Sequence, residues 1–430
     1  MSGLAQRAGG RDRSLGRSPL VAALDIGTSK ITCMISRRSD AVDGEPLIAA
    51  AGVQATRGMK AGAVVDLDAL ERSIRLAVEQ AERGADQRIN DVVVGVSGPD
   101  IRSSIVRAKT QLSGREIVAQ HVREVRDAAL ESFQAAGRKI LHYSSLSFTV
   151  DGMSGVRDPR GMCADVLAAS FVVVSAPQAG LRNIARCIGK AHLNPVALVS
   201  SCYASGLSVL VEDEAQNGVV VIDLGGGVTS AAAFDEGDLV HIETLPIGCS
   251  KATADLAQGL GTTNAAAERL KTLYGAVALT DVDAFELVEA PRLGADGRLE
   301  AAQCTRADIV RILRPRIEEL FELLDSQLSR ASAAGRPLPR RIVLTGGGSQ
   351  LVGIREVAED VFRAPVRLAR PANVRGLGEV FGAPAFSSAA GLVRWEMLNG
   401  LGAVRPGQVG ADGDSAGMLR SLAAWLKENF

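Results

Sequence analysis

Two turns far apart in the chain carry residue types that suit phosphate and metal binding. The first, Asp25 to Lys30 (DIGTSK), follows the apolar run Leu20 to Leu24, and the second, Asp223 to Thr229 (DLGGGVT), follows Val219 to Ile222. Backbone N–H groups of a glycine turn, small hydroxyls and a lysine can bind phosphate oxygens, while an aspartate can orient a metal-bound water. Many hairpins contain one Asp-Xaa-Gly turn. Its repetition indicates a duplicated lobe, with both aspartates in one cleft.

A third glycine turn joins a predicted strand to a predicted helix rather than to a second strand. Gly346 to Ser349 follows the apolar strand Ile342 to Thr345 and precedes a predicted helix. The glycines allow close approach of the backbone to a flat ring or a phosphate, and the helix start offers free N–H groups. Glu268 and Lys271 are three residues apart, which on a helix also suits a solvated ion pair worth a few tenths of a kcal/mol.

The elements that position these turns are predicted from hydrophobic periodicity. Ile31 to Ile35 and Ala231 to Phe234 read as the returning strands of the first two hairpins. With 430 residues, 47% of them hydrophobic, the chain can form two lobes. A formal net charge of −1 gives no general attraction to nucleic acid. Six cysteines without CxxC spacing suit reduced core residues, and no apolar run is long enough to cross a bilayer.

The end of the sequence, Gly417 to Phe430, is predicted to be an amphipathic helix. A membrane surface or a partner's groove could receive its apolar face. Docking on its own protein is the third interpretation, but the glycine-rich segment Leu401 to Gly417 reads as a flexible tether. We favour a membrane surface. The residues of the apolar face are Met418, Leu419, Leu422, Trp425, Leu426 and Phe430.

The order of the three turns resembles the actin, Hsp70 and sugar-kinase superfamily, whose members hold ATP and Mg2+ between two lobes. The resemblance implies that Asp25 and Asp223 hold the waters of Mg2+, and that Glu268 and Lys271 contact adenine and ribose. The implied phosphate contacts are Gly27, Thr28, Ser29, Lys30, Gly225, Gly226, Gly227 and Thr229, and the implied adenosine contacts are Gly346, Gly347, Gly348 and Ser349.

The region from 98 to 175 narrows this resemblance. It reads as a strand (Ser103 to Thr110), a helix (Arg115 to Gln134) and two strands (Ile140 to Val150 and Val166 to Ser175). Together with the amphipathic end, this pattern is similar to subdomain 1C of the FtsA family of bacterial division proteins. The implied fold is α/β: an actin-like, two-lobe ATPase fold with this subdomain and a C-terminal amphipathic helix.

The resemblance also implies a function and partners. Members of the family tether the FtsZ ring to the cytoplasmic face of the membrane at the septum, self-assemble into filaments, and recruit later division proteins through subdomain 1C. The FtsZ tail is expected to bind in subdomain 2B. There Arg306 and Arg316, in the predicted helix Thr305 to Phe321, are candidates for contacting an acidic peptide, although a solvated helix face has the same pattern.

The family pattern divides the chain into subdomains. They are subdomain 1A (19–97, 176–210 and 376–395), subdomain 1C (98–175), subdomain 2A (211–250 and 319–375) and subdomain 2B (251–318), with a disordered tail (1–18), a flexible linker (396–416) and the amphipathic helix (417–430).

Two departures from the superfamily pattern bear on chemistry. The second turn has Val228 and Ser230 where threonine and aspartate are usual, with Thr229 shifted by one. Counting back from Gly206, the position that orients the attacking water falls on Ala197, which cannot orient or deprotonate water. We therefore expect tight ATP binding with slow or absent hydrolysis. The alternatives are an FtsA-like protein of a pilus-assembly system and a small-molecule kinase of the superfamily.

Overall fold

The computed structural model describes residues 20–37, 45–279, 281–294, 296–334 and 337–400. The predicted N-terminal tail, the linker beyond residue 400 and the amphipathic helix with its six membrane-facing residues lie outside the described residues.

The described chain alternates strands and helices. Its first half contains β1 (Leu20–Ile26), β2 (Lys30–Arg37), β3 (Ile48–Ala55), β4 (Met59–Lys60), β5 (Ala63–Val64), α1 (Leu67–Ala85), β6 (Asp91–Val96), β7 (Arg102–Glu116), α2 (Ala119–Glu131), β8 (Arg138–Val150), β9 (Met153–Val156), β10 (Cys163–Pro177), α3 (Gln178–Lys190), β11 (Asn194–Ser200), α4 (Ser201–Val209) and α5 (Glu212–Asn217). Its second half contains β12 (Val219–Leu224), β13 (Thr229–Asp235), β14 (Asp238–Leu245), α6 (Cys249–Leu260), α7 (Asn264–Tyr274), α8 (Asp281–Ala284), β15 (Leu287–Glu289), β16 (Arg292–Leu293), β17 (Leu299–Glu300), β18 (Gln303–Thr305), α9 (Arg306–Ala334), β19 (Ile342–Thr345), α10 (Ile354–Phe362), β20 (Val366–Leu368), α11 (Gly378–Phe381) and α12 (Ser387–Gly400).

Two five-stranded sheets repeat one topology. The first has the order β3-β2-β1-β6-β11 and the second the order β14-β13-β12-β19-β20. In each sheet an antiparallel meander of three strands is extended by two parallel strands. Asp25 pairs with Gly95 on β6, and Asp223 pairs with Thr345 on β19, so the two aspartates occupy equivalent places. We call the halves built on these sheets lobe 1 and lobe 2. The predicted duplication and the actin-like α/β fold are confirmed.

A third sheet, of order β7-β10-β8-β9, is inserted between β6 and α3. It covers α2 and has its own buried apolar cluster. The helix begins at Ala119 rather than at the predicted Arg115, because β7 continues to Glu116 and pairs there with Cys163. We call this unit the inserted domain.

Helices α4 and α12 pack against each other between the lobes. They approach so closely that a β-carbon at Gly391 would overlap the backbone carbonyl of Ala204. One buried cluster joins lobe 1 to lobe 2 residues such as Val221 and Val343. Helix α12 continues to Gly400, although the linker was predicted to begin at residue 396.

A stack of three rings crosses the same joint. His142 of the inserted domain stacks on Tyr203 of α4 with ring centroids 4.8 Å apart, and Tyr203 stacks on Phe234 of lobe 2 at 5.9 Å. The inserted domain therefore contacts the joint. It contacts lobe 2 directly where the Ser103 hydroxyl lies 3.0 Å from His241 Nδ1.

The cysteines agree with the predicted reduced state. All six are free, and five are buried as predicted, whereas Cys163 is exposed on the inserted domain.

Candidate functional site

The three glycine turns meet in one cleft between the lobes. The cleft has a volume of about 440 Å³, within the usual range for small-molecule sites of roughly 300–1,000 Å³. All but two of the predicted contact residues line it. The predicted residues that line the cleft are Asp25, Gly27, Thr28, Ser29, Lys30, Asp223, Gly225, Gly226, Gly227, Glu268, Lys271, Gly346, Gly347 and Gly348.

Thr229 and Ser349 do not line the cleft. Thr229 is fully buried in β13, and the next residue, Ser230, lines the cleft instead because side chains alternate along a strand. The Ser349 hydroxyl donates to the carbonyl oxygen of Gly346 at 2.8 Å. The structure therefore does not support a direct ligand contact for either side chain.

The two aspartates are half-buried and accept hydrogen bonds from serines of the joint helices α4 and α12. Asp25 Oδ1 accepts hydrogen bonds from Ser201 at 3.0 Å and from Ser388 at 2.9 Å. Asp223 Oδ2 accepts one from Ser205 at 2.6 Å. None of these serines was among the predicted site residues. Their signal in the sequence was the presence of hydroxyls in a segment that is otherwise apolar, since buried hydroxyls need partners.

Burial dominates the electrostatics of the pair. It raises the pKa of Asp25, against the hydrogen bond from Ser388 and the charge of Lys30. It raises the pKa of Asp223 to about 6, against the hydrogen bond from Ser205, and the nearby charge of Asp25 adds to the increase. Two carboxylates that share a cleft disfavour each other's ionisation. A bound cation would relieve this cost.

Lys30 supplies part of the missing positive charge. Burial lowers the pKa of this lysine, and the charges of Asp25 and Asp223 oppose that shift. Its Nζ atom lies 4.7 Å from the centroid of the Phe386 ring, a distance suited to a cation–π contact. One lysine between two carboxylates leaves the cleft short of positive charge at neutral pH.

The first two turns touch across the cleft. A β-carbon at Gly226 would overlap the Ser29 side chain, and one at Gly227 would overlap Thr28. The Thr28 hydroxyl is itself oriented, since it accepts a hydrogen bond from the Gly62 N–H at 3.0 Å. A β-carbon in the lobe 2 turn would therefore displace side chains of the opposite turn.

Glu268 and Lys271 form an ion pair whose lysine is mostly buried and whose glutamate is 55% exposed. Lys271 Nζ lies 2.7 Å from Glu268 Oε2 and donates to Thr253 Oγ1 at 2.8 Å. Thr253 in turn donates to Glu268 Oε2 at 2.5 Å. The Lys271 side chain is only 12% exposed. This fixed polar group forms one wall of the cleft.

Ala197 does not occupy the position that the sequence spacing assigned to it. It lies within β11, is buried, and pairs with Val93. The residues of this segment that line the cleft are Ser201 and Cys202, at the start of α4. The predicted slow hydrolysis therefore loses its basis in Ala197.

The two arginines proposed for an acidic peptide are engaged within the chain. Arg306 lies 3.0 Å from Glu286, and Arg316 pairs with Asp255 at 2.5 Å and with Glu319. An acidic peptide would have to compete with these carboxylates.

Comparisons with known proteins support one family throughout the chain. Residues 220–391 match the family model "Cell division protein FtsA", and residues 98–175 match "SHS2 domain inserted in FTSA". The chain is 38% identical over 424 residues to a cell division protein FtsA of Agrobacterium fabrum, covering 96% of each chain. It is 32% identical over 415 residues to that of Pseudomonas aeruginosa, covering 96% of this chain and 98% of the relative.

Solved structures with low sequence identity share the fold. A PilM-PilN type IV pilus biogenesis complex matches with a TM-score of 0.62 and 18% identity, covering 88% of this chain and 98% of the other. MreB5 of Spiroplasma citri bound to ADP matches with a TM-score of 0.50 and 12% identity, covering 88% and 96%.

Proposed function

Because the chain belongs to the FtsA family of cell division proteins, we propose that it binds ATP with Mg2+ between its lobes and tethers FtsZ to the cytoplasmic membrane. The observation that carries the nucleotide part is the cleft itself. Turns from both lobes meet there, and the half-buried carboxylates of Asp25 and Asp223 both interact with the charge of Lys30.

The residues present fit a magnesium nucleotide. Asp25 and Asp223 are the oxygen donors that Mg2+ uses together with phosphates and waters. The backbone N–H groups of Gly226 and Gly227 and the hydroxyls of Thr28 and Ser29 would hold phosphate oxygens. The Gly225 N–H instead donates to the carbonyl oxygen of Val228 within the turn. Glu268 and Lys271 would contact the nucleoside. When bound, Mg2+ would supply the positive charge that this cleft and a triphosphate both need.

Membrane attachment is assigned to the amphipathic segment 417–430, which lies outside the described residues. Within the described part of the chain, no helix is both long and apolar enough to cross a bilayer. We propose peripheral attachment, at the septum, through the apolar face that contains Trp425. Burial of large apolar side chains, each worth up to about 1.5–3 kcal/mol, makes reversible binding feasible before ordering costs.

The first experiment reconstitutes recruitment on lipid vesicles. The full chain, ATP, Mg2+ and FtsZ are mixed with vesicles, and co-sedimentation of both proteins is measured. Trp425→Glu should release both proteins from the vesicles. Ala424→Glu is the matched control, because it adds the same charge on the side of the predicted helix opposite the apolar face. If the unaltered chain binds vesicles but leaves FtsZ in solution, the tethering function is wrong and a pilus-type role becomes the better interpretation.

We further propose that the acidic tail of FtsZ binds beside α9, in competition with the ion pairs of Arg306 and Arg316. The double variant Arg306→Gln/Arg316→Gln should weaken binding of an FtsZ tail peptide without affecting vesicle binding. Arg355→Gln, which breaks the Arg355–Glu359 pair on α10, is the control. Unchanged peptide affinity in the double variant would move the site elsewhere. Self-assembly and recruitment of later division proteins through the inserted domain complete the proposed role.

A further inference from the structure

Helix α4 presents hydroxyl groups to the carboxylates of both lobes. All nine of its residues are buried, and three of them are serines. Ser201 donates to Asp25 Oδ1 and Ser205 donates to Asp223 Oδ2. The serines are four residues apart, so they lie on the same face of the helix. One helical face therefore contacts a carboxylate from each of the two sheets.

The two carboxylates are not held equally. Asp25 Oδ1 also accepts from Ser388 of α12, so it keeps a hydroxyl donor if Ser201 is lost. Among the described residues, Asp223 accepts a side-chain hydrogen bond only from Ser205. Hydrogen bonds from hydroxyls to carboxylates are short and directional, and they fix which oxygen remains turned towards the cleft.

We propose that Ser201 and Ser205 are positioning residues for the magnesium nucleotide, and that Ser205 is the more important of the two. The inference rests on the proposed nucleotide binding. Groups that orient metal ligands typically contribute about 10- to 100-fold to metal affinity. Since Asp223 depends on one serine, its orientation has no second support when that hydroxyl is removed.

Ser208 provides a matched control on the same helix. It is buried like the other two serines, but its hydroxyl donates to the backbone carbonyls of Ser205 at 3.0 Å and Ser387 at 2.7 Å. Its replacement by alanine removes buried hydrogen bonds without removing a donor to a carboxylate.

The test measures ATP affinity by calorimetry in Mg2+ and in EDTA. The ratio of the two affinities is the magnesium-dependent gain. We expect Ser205→Ala to lower this gain by roughly 10- to 100-fold, Ser201→Ala to lower it less, and Ser208→Ala to leave it unchanged. Affinity in EDTA should stay near that of the unaltered chain in all three variants, a pattern that a general folding defect would not produce.

Several results would overturn the inference. A full magnesium-dependent gain in Ser205→Ala, or an equal loss in Ser208→Ala, would show that α4 does not position the carboxylates. If Ser205→Ala does not fold, the double variant Ser201→Ala/Ser388→Ala removes both hydroxyl donors from Asp25 instead. A full magnesium-dependent gain in that variant would also refute the inference. No gain in the unaltered chain would refute the proposed nucleotide function, and this inference with it.

Discussion

The two lobes have the same strand order but bring different chemistry to the cleft. The lobe 1 turn presents the side chains of Thr28, Ser29 and Lys30, whereas the lobe 2 turn presents only backbone at residues 225–227. The difference is complementary, because side chains on both turns would collide where Gly226 and Gly227 face Ser29 and Thr28. The two lobes repeat one topology, but lobe 1 lines the cleft with side chains of its turn and lobe 2 lines it with backbone.

The aspartates show the same division. Asp25 has two hydroxyl donors, and Asp223 has one. Lobe 1 also contributes Lys30, a half-buried lysine whose charge interacts with both aspartates. Lobe 1 thus supplies hydroxyl groups and a positive charge that suit anionic phosphates. In lobe 2, Asp223 accepts fewer side-chain hydrogen bonds than Asp25 does.

The strongest test of this asymmetry is Asp223→Asn without nucleotide. The raised pKa of about 6, against an ordinary 3.8, means that ionisation of Asp223 costs stability as pH rises from about 4 to 6, and the full cost remains above pH 6. A shift of about two units corresponds to about 3 kcal/mol. Urea unfolding at pH 7 should show the variant more stable by up to that amount, with the difference shrinking towards pH 4.

The same variant should gain no stability from ATP and Mg2+, so stability and binding are expected to change in opposite directions. Asp213→Asn, at an exposed carboxylate, is the control and should change neither. Equal stability of Asp223→Asn and the unaltered chain at pH 7 would contradict the predicted cost of ionisation.

Gly226→Ala tests whether the turns must touch. The added methyl group overlaps Ser29, and overpacking of this kind costs about 1–3 kcal/mol, which corresponds to roughly 5- to 150-fold weaker nucleotide binding if the cleft must close. Ser29→Gly in the same chain removes the obstacle and should restore part of the affinity. Calorimetric titration with ATP and Mg2+ measures both effects. A double variant no better than Gly226→Ala would place the cause elsewhere.

His142→Phe tests whether burial at the joint between the lobes keeps the His142 ring neutral. Burial lowers the pKa of His142 to about 3. Below pH 6.5 the unfolded chain takes up a proton at this histidine that the folded chain does not. The free energy of unfolding therefore decreases as the pH is lowered, by at most about 2 kcal/mol at pH 5. Phenylalanine keeps a ring in the stack but cannot titrate.

The unaltered chain should therefore lose more stability between pH 7 and pH 5 than the His142→Phe variant does. Urea unfolding at both pH values measures this difference. His192→Asn removes an exposed histidine and serves as the control. The same pH dependence in the unaltered chain and in His142→Phe would mean that the stacked ring is not kept neutral by burial.

The smallest expected effect concerns the lobe 2 wall. Glu268→Gln weakens the arrangement with Lys271 and Thr253, and a hydrogen bond of this kind contributes about 0.5–1.5 kcal/mol. ATP should bind slightly more weakly, whereas inorganic tripolyphosphate, which has no nucleoside, should bind as before. Glu322→Gln, on the exposed side of α9, is the control. Equal losses for both ligands would remove Glu268 from the nucleoside site.

Local pattern was enough to predict the strands and turns that frame the cleft. The predicted first hairpin, Leu20 to Leu24 and Ile31 to Ile35, differs from β1 and β2 by at most two residues at each end. Apolar runs interrupted by glycine and aspartate indicate short strands joined by turns. The repeat of this pattern places the two aspartates at equivalent strand ends. The meeting of the three turns followed from this topology and the family resemblance.

The serine contacts and the position of Ala197 could not be predicted in the same way. Ser388 and Asp25 lie 363 positions apart in the chain, and no local pattern pairs them. The assignment of Ala197 assumed a fixed spacing before Gly206, but the helix starts only at Ser201, so Ala197 remains in the strand. For Thr229, strand alternation turned the side chain away from the cleft.

The backbone contact between Ala204 and Gly391 lies where the two lobes meet. Ser205, which holds Asp223, is the neighbour of Ala204 on α4. Any rotation of the lobes about this crossing would displace atoms in proportion to their distance from it. The carboxylates would move least, and the outermost strands of the two sheets would move most. In such a rotation, a small displacement in the cleft would accompany a large displacement at the outer surfaces of the protein.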